Sequence, residues 1–191
     1  TSNTLDKRKI VAFTIPTYIS STRLMTDRSS SINSVFDLSR SKLSVLTVKG
    51  SRGDRIFQSM KADGVLKNKS VPVESYKAAY AALEGNKGEA FIMDDVTLYS
   101  MRAASKNPDN YIITRDPISV DSFSIVFRKG DAAFKKIVDA EITRIISQGE
   151  IGGIYKKWFE SPIPPSQVNI KHPMPYMMRD SFRNPTDWVP D

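Results

Sequence analysis

A chain of 191 residues is long enough for one domain or two small ones, and 40% hydrophobic with 26% charged residues is ordinary globular composition, which excludes a disordered, collagen-like or coiled-coil chain. Cysteine is absent, so disulfide frameworks, thiolate metal sites and cysteine nucleophiles are excluded; histidine occurs once, at His172, so a multi-histidine metal site is excluded too. The 28 basic and 21 acidic residues give a formal charge of +7, which favours anionic partners of any size without choosing among them.

No apolar run approaches the roughly 20 residues that a membrane helix needs. Thr1 to Asp6 carries neither a basic n-region nor an apolar h-region, so no signal peptide is read within this sequence. Both points fit a cytoplasmic chain or the mature part of an exported one.

In chain order, the basic run Lys7-Arg8-Lys9 reads as a solvated stretch before a first strand at Ile10-Val11-Ala12-Phe13, stopped near Pro16. An extended run over 18–25 follows, then a polar loop over 26–31 and a short helix near 35–38, capped by Asn33 or Ser34. From Lys42 onward strands and helices alternate. Strands are expected at 43–48, 71–73, 89–93 and 111–114, and helices at 56–65, 76–83 and 94–105. This alternation predicts a mainly parallel sheet covered by helices. A strand over 123–128 precedes a long amphipathic helix over 132–148, with Phe134, Ile137, Val138, Ile142, Ile145 and Ile146 on one face. A second short helix carries Ile154, Tyr155, Trp158 and Phe159, the aromatics being expected in the core. After Pro162 the chain reads as a tail that wraps a surface, with His172 at that surface.

Three junctions can carry ligand chemistry; the third, Lys7-Arg8-Lys9 before the first strand, reads more plainly as the solvated run given above. At Val48-Lys49-Gly50-Ser51-Arg52-Gly53-Asp54 a helix start offers unpaired N–H groups and the positive end of its dipole, suited to a carboxylate or phosphate. The plainer reading is a turn capped by Asp54. It is not a phosphate-binding Walker loop, because no Gly-Lys-Ser/Thr follows at the required spacing. At Met93-Asp94-Asp95 a carboxylate at the carboxyl end of a strand can bind an ammonium group or cap the next helix; two adjacent acids can divide these tasks.

These junctions coincide with a family pattern. Thr1 to Thr14 (Thr-Ser-Asn-Thr-Leu-Asp-Lys-Arg-Lys-Ile-Val-Ala-Phe-Thr), Leu83-Glu84-Gly85 with Ala90 to Asp95, Lys106 to Asn110, Phe127 to Asp131, and Lys157-Trp158-Phe159-Glu160-Ser161-Pro162-Ile163-Pro164-Pro165 carry it. By these motifs, which run end to end, the chain resembles the periplasmic glutamate/aspartate-binding proteins of ABC transporters. The resemblance implies an α/β, periplasmic-binding-protein-like fold of two lobes joined by two hinge strands, with the ligand closed between them. It assigns 20–120 to one complete α/β lobe, and 1–19 with 121–191 to an incomplete second lobe. The elements that open that lobe in the family precede the position matched by Thr1. The apolar faces of 10–13 and 132–148 are therefore expected to be exposed, as in a piece of a longer protein, a chain completed by a partner, or an intertwined oligomer.

The resemblance also implies ligand contacts. Asp94 falls on the ammonium-binding Asp, and Gly50 and Ser51 fall on a carboxylate-binding turn. Ser2 falls on a pocket Thr. Lys7 falls on an Arg that grips the ligand carboxylate with a two-pronged fork, which a point-charge lysine does not reproduce; Arg8 is adjacent. Val48 and Tyr76 depart from a Thr and a His. The implied function is the non-catalytic, periplasmic solute-binding component of an importer for an acidic amino acid. It needs no cofactor or metal, and its partners are the amino acid, a membrane permease and, to complete the second lobe, a second copy. The alternative is a truncated relative acting as an oligomeric interaction module without amino-acid binding. For an enzyme on this fold only Asp94 or Asp95 offers a general base. Nucleic-acid binding would rest on net charge alone, with no recognisable module.

Overall fold

The computed structural model describes residues 1–187. Its first elements are α1 (Leu5–Arg8), β1 (Val11–Phe13), β2 (Tyr18–Asp27), α2 (Val35–Arg40), β3 (Val45–Val48) and α3 (Arg52–Ala62). Then come β4 (Ser70–Val73), α4 (Tyr76–Glu84), β5 (Ala90–Asp94), α5 (Asp95–Ala104) and β6 (Tyr111–Ile113). The last are β7 (Ser119–Phe123), β8 (Val126–Arg128), α6 (Ala132–Ser147), α7 (Glu150–Phe159) and α8 (Tyr176–Ser181). The chain forms two units: unit 1 takes Thr1–Ser20 and the chain from Val120 onward, and unit 2 takes Ser21–Ser119.

Unit 2 is built on a sheet of order β4-β3-β5-β2-β6. β3 runs parallel to β4 and β5, whereas β2 is antiparallel to both β5 and β6. The sheet is therefore mixed rather than mainly parallel, because β2 enters from the opposite end to β5. Period-two alternation splits the core between the two faces. Met25, Leu46, Val48, Phe91 and Met93 pack on one side with Ala79, Ala82 and Leu83 of α4 and Leu98 of α5. Leu24, Val45, Ala90 and Ile92 pack on the other with Leu38 of α2 and Phe57 of α3. Burial on both faces is why β3 and β5 read as continuous apolar runs.

Serine caps set the helix starts. Ser34, Ser51 and Ser75 each accept the backbone N–H three residues on, from Asp37, Asp54 and Ala78. Gly53 lies where α3 meets β5: a Cβ there would overlap the Ile92 carbonyl, so glycine permits the close approach.

Unit 1 holds a two-stranded antiparallel sheet, β1–β8, with Ala12 opposite Phe127. The expected strand over 123–128 is two strands. At the break, Thr14 and Ile125 exchange bonds: Thr14 N–H donates to the Ile125 carbonyl and Ile125 N–H to Thr14 Oγ1, both 3.1 Å. The core here is an aromatic stack in which Phe159 lies 4.3 Å from Tyr155 and 5.5 Å from Tyr18, centroid to centroid. Met178 of α8 closes it, so the tail carries a helix that its sequence did not suggest. Trp158 is 47% exposed and stands outside that core, contrary to expectation. On α6 only Ile142 of the apolar row is buried; Phe134 is exposed and Ile137 is 70% exposed, as is Ile10 at 76%.

Candidate functional site

Strands β4, β3 and β5 are parallel neighbours, so their carboxyl ends share one edge of the unit 2 sheet, the edge where α/β sheets hold ligands. Gly50 and Ser51 follow β3, Tyr76 follows β4 and Asp94 ends β5. Four of the seven sequence-level candidates therefore meet at that edge. The close approach of Gly53 to Ile92 and Met93 sets the first turn of α3 against the end of β5 that carries Asp94.

The two adjacent acids have different surroundings. Asp95 is fully buried; its carboxylate accepts the Ser21 hydroxyl at 2.6 Å, the Ser21 N–H at 3.2 Å and the Val96 N–H at 2.8 Å. Arg23 extends this set by donating from Nε to Ser21 Oγ and from Nη1 to the Thr114 carbonyl, both 2.8 Å. Asp94 sits at the N-cap position of α5 but makes no capping bond with its side chain. Sequence reasoning missed Ser21 and Arg23. The signal was present as the polar stretch Ser20-Ser21-Thr22-Arg23 inside an otherwise apolar strand.

The turn after β3 performs the capping role. Ser51 Oγ accepts the Asp54 N–H at 3.2 Å, and Asp54 Oδ2 accepts the Gly50 N–H at 3.0 Å. Burial works to raise the Asp54 carboxyl, but bonds from Gly50, Gln58 and Thr47 and the charge of Arg55 outweigh it and hold the group below the usual carboxylate range. The capping bond occupies an acceptor lone pair of Ser51 and leaves its hydroxyl proton to donate. The cations of the turn are engaged: Lys49 pairs with Glu74, Arg55 Nη1 donates to the Gly50 carbonyl at 2.7 Å, and Arg52 Nη2 donates to Ser119 Oγ at 3.2 Å. Tyr76 opens α4 and is 48% exposed.

The other three candidates belong to unit 1. Lys7 Nζ donates to Thr1 Oγ1 at 3.1 Å and to the Ser2 carbonyl at 3.2 Å, so Lys7 and Ser2 are direct neighbours. Arg8 points elsewhere: its Nε donates to Asn3 Oδ1 at 2.8 Å and its Nη2 to the Asp187 carbonyl. Lys7 and Arg8 lie in α1 and are half-buried, while Lys9, just past its end, is exposed as a solvated stretch would be. His172 corrects a second expectation. It is only 3% exposed, its N–H donates to the Phe159 carbonyl at 2.9 Å, and Nε2 stands 3.1 Å from the Tyr18 hydroxyl. Among the described residues no group of three or more His, Asp and Glu side chains is placed to hold a metal ion, and no helix is long and apolar enough to cross a membrane.

Residues 1–161 match the family of bacterial extracellular solute-binding proteins, family 3. The chain is 34% identical over 187 residues to the L-glutamate/L-aspartate-binding protein of Pseudomonas aeruginosa, across 98% of this chain and 61% of that one. It is 29% identical, with the same coverage, to the glutamate/aspartate import solute-binding protein of Escherichia coli. The GluR0 ligand-binding core from Nostoc punctiforme in complex with L-glutamate has a similar fold, with a TM-score of 0.63 at 21% identity over 83% of this chain and 70% of that one. An ancestral arginine-binding protein bound to arginine aligns with a TM-score of 0.66 at 20% identity, over 83% and 69%. The chain thus has the α/β fold of periplasmic amino-acid-binding proteins and spans about three-fifths of the length of the curated relatives it matches. With 161 of its 191 residues matched and nearly all of its length aligned to such relatives, the chain belongs to the bacterial extracellular solute-binding proteins, family 3.

Proposed function

We propose that this chain is the amino-acid-recognising part of a periplasmic solute-binding protein that delivers glutamate or aspartate to the membrane permease of an ABC importer, and that it performs no catalysis. The observation that carries the reading is the meeting of Gly50, Ser51, Tyr76 and Asp94 at the carboxyl ends of the parallel strands β3, β4 and β5. Asp95 is fixed by Ser21, while Asp94 ends the central strand with a carboxylate that does not cap its own helix. A carboxylate in that place suits an α-ammonium group. The Ser51 hydroxyl, on the same sheet edge, suits the α-carboxylate, helped by the positive end of the eleven-residue helix α3. A relative named for glutamate and aspartate binding, at 34% identity, supports an acidic ligand, as does the net charge of +7.

Isothermal titration with L-glutamate and L-aspartate tests this. The expected result is saturable binding by the wild-type chain, with Asp94→Ala weakening it by about thirtyfold or more, the loss that follows from leaving one charge of a buried pair alone. Undetectable heat from either amino acid, or an Asp94→Ala chain that binds as wild type does, defeats the reading. As a second reading we propose that the chain self-associates, favoured by the exposed apolar side chains of Ile10, Phe134 and Ile137 in unit 1.

A further inference from the structure

We propose that the C-terminal tail, through Asp187, positions Lys7 and Ser2 by clamping the single helical turn that carries Lys7. The proposal deepens the amino-acid-binding reading and rests on it. Helix α1 has four residues, far below the length at which a helix holds itself in water, so neighbours must set its direction. On one flank the chain over 122–124 fixes the start of the segment: Asn3 N–H donates to the Ser122 carbonyl at 2.8 Å, and Ser124 N–H to the Thr1 carbonyl at 3.0 Å. Those bonds end at Asn3; past the other end of the turn, Lys129 Nζ donates to the Lys9 carbonyl at 2.9 Å, and neither contact reaches Lys7 or Arg8.

The turn is fixed through Arg8. Its Nε holds Asn3 Oδ1 at 2.8 Å, and its Nη2 donates to the Asp187 carbonyl, which Asn3 Nδ2 also reaches at 3.5 Å. The Asp187 carboxylate lies 3.0 Å from Lys135 Nζ and 3.9 Å from Arg8 Nη2. Lys135 is itself anchored, to Asp139 at 2.6 Å and to the Phe13 carbonyl at 2.9 Å, and Asp139 accepts the Ile15 N–H at 2.9 Å. The tail therefore ties α1 to α6 and to the segment that leaves β1. Asn3 and Arg8 are the sequence neighbours of Ser2 and Lys7, so a hold on the first pair orients the second. Arg8 is a positioning residue in this arrangement, not a contact for the ligand.

Two variants of the 191-residue chain test the clamp: one ending at Pro185, which removes both the carbonyl and the carboxylate, and Asp187→Asn, which removes only the charge. Amide hydrogen exchange without ligand and titration with L-glutamate are the readouts. In the shortened chain, exchange over residues 2–9 is expected to rise by roughly tenfold while Ser21–Ser119 and α7 keep their protection. Glutamate affinity is expected to fall by about five- to tenfold. Asp187→Asn is expected to give a smaller loss at low salt, and one that shrinks towards 1 M salt because these partly exposed charges are screened. Unchanged exchange over 2–9 overturns the clamp. A rise spread evenly over unit 1 overturns it too, since that marks general destabilisation. Faster exchange with unchanged affinity overturns its link to the ligand. A wild-type chain that binds no glutamate overturns the parent reading, and exchange over 2–9 still decides whether the clamp exists.

Discussion

Burying a carboxylate costs several kcal/mol unless donors reach it. Asp95 meets that condition through the Ser21 hydroxyl and N–H, and its neighbour Asp94 ends β5 without capping α5. Close packing at that strand end leaves no room for a side chain on Gly53. Gly53→Ala is therefore expected to lower the stability of unit 2 by about 1–3 kcal/mol, the usual cost of overpacking, with the loss read from urea denaturation. Unchanged stability would show that α3 can move off the Ile92 carbonyl. That Asp95 is held by Ser21 was not legible in the sequence, because the two lie 74 residues apart in the chain. His172 misled for the same reason. Its neighbours Lys171 and Pro173 suggest a surface, while the groups that bury it, Tyr18 and Phe159, come from other elements. Asp187 offered no signal at all, since its role depends on Arg8 and Lys135.

Helices were legible where they announce their own ends. Ser34, Ser51 and Ser75 each sit just before an amphipathic run and cap it, a rule that needs only local sequence. The sense of β2 was not legible, because antiparallel entry is set by the path of the chain rather than by the strand's residues. The start of α3 has a consequence for acid stability. Asp54 is held below the usual carboxylate range, so its contribution is present above about pH 4 and is lost as the pH falls through its lowered folded value. Melting curves from pH 7 to 3 are expected to show unit 2 losing stability below about pH 4, and Asp54→Asn is expected to be less stable at pH 7 but to lose less on acidification. Parallel curves for the two proteins would mean that the Gly50 and Gln58 bonds do not depend on the charge.

The two units differ in how completely they bury their apolar residues. Unit 2 packs both faces of its sheet, while among the described residues of unit 1 the buried cluster is Ile19, Tyr155 and Met178, with half-buried rings around it and Phe13, Ile15, Ile142 and Ile170 buried elsewhere. Ile10 at 76% exposure and Ile137 at 70% lie in unit 1, with Phe134 exposed on the same helix as Ile137. Exposed apolar surface of this kind drives association when nothing else covers it. Opposing it is the net charge of +7, whose repulsion weakens as salt rises. Light scattering at about 0.15 M salt is therefore expected to give a mass that climbs above 21.4 kDa as concentration increases, and climbs sooner at higher salt. Because Ile137 is mostly in water already, Ile137→Glu removes apolar surface without opening a cavity. That variant is expected to keep the wild-type fold and to hold its mass near 21.4 kDa over the same range. A wild-type chain that stays at that mass throughout would show that charge outweighs these exposed side chains, which would then carry no association between copies.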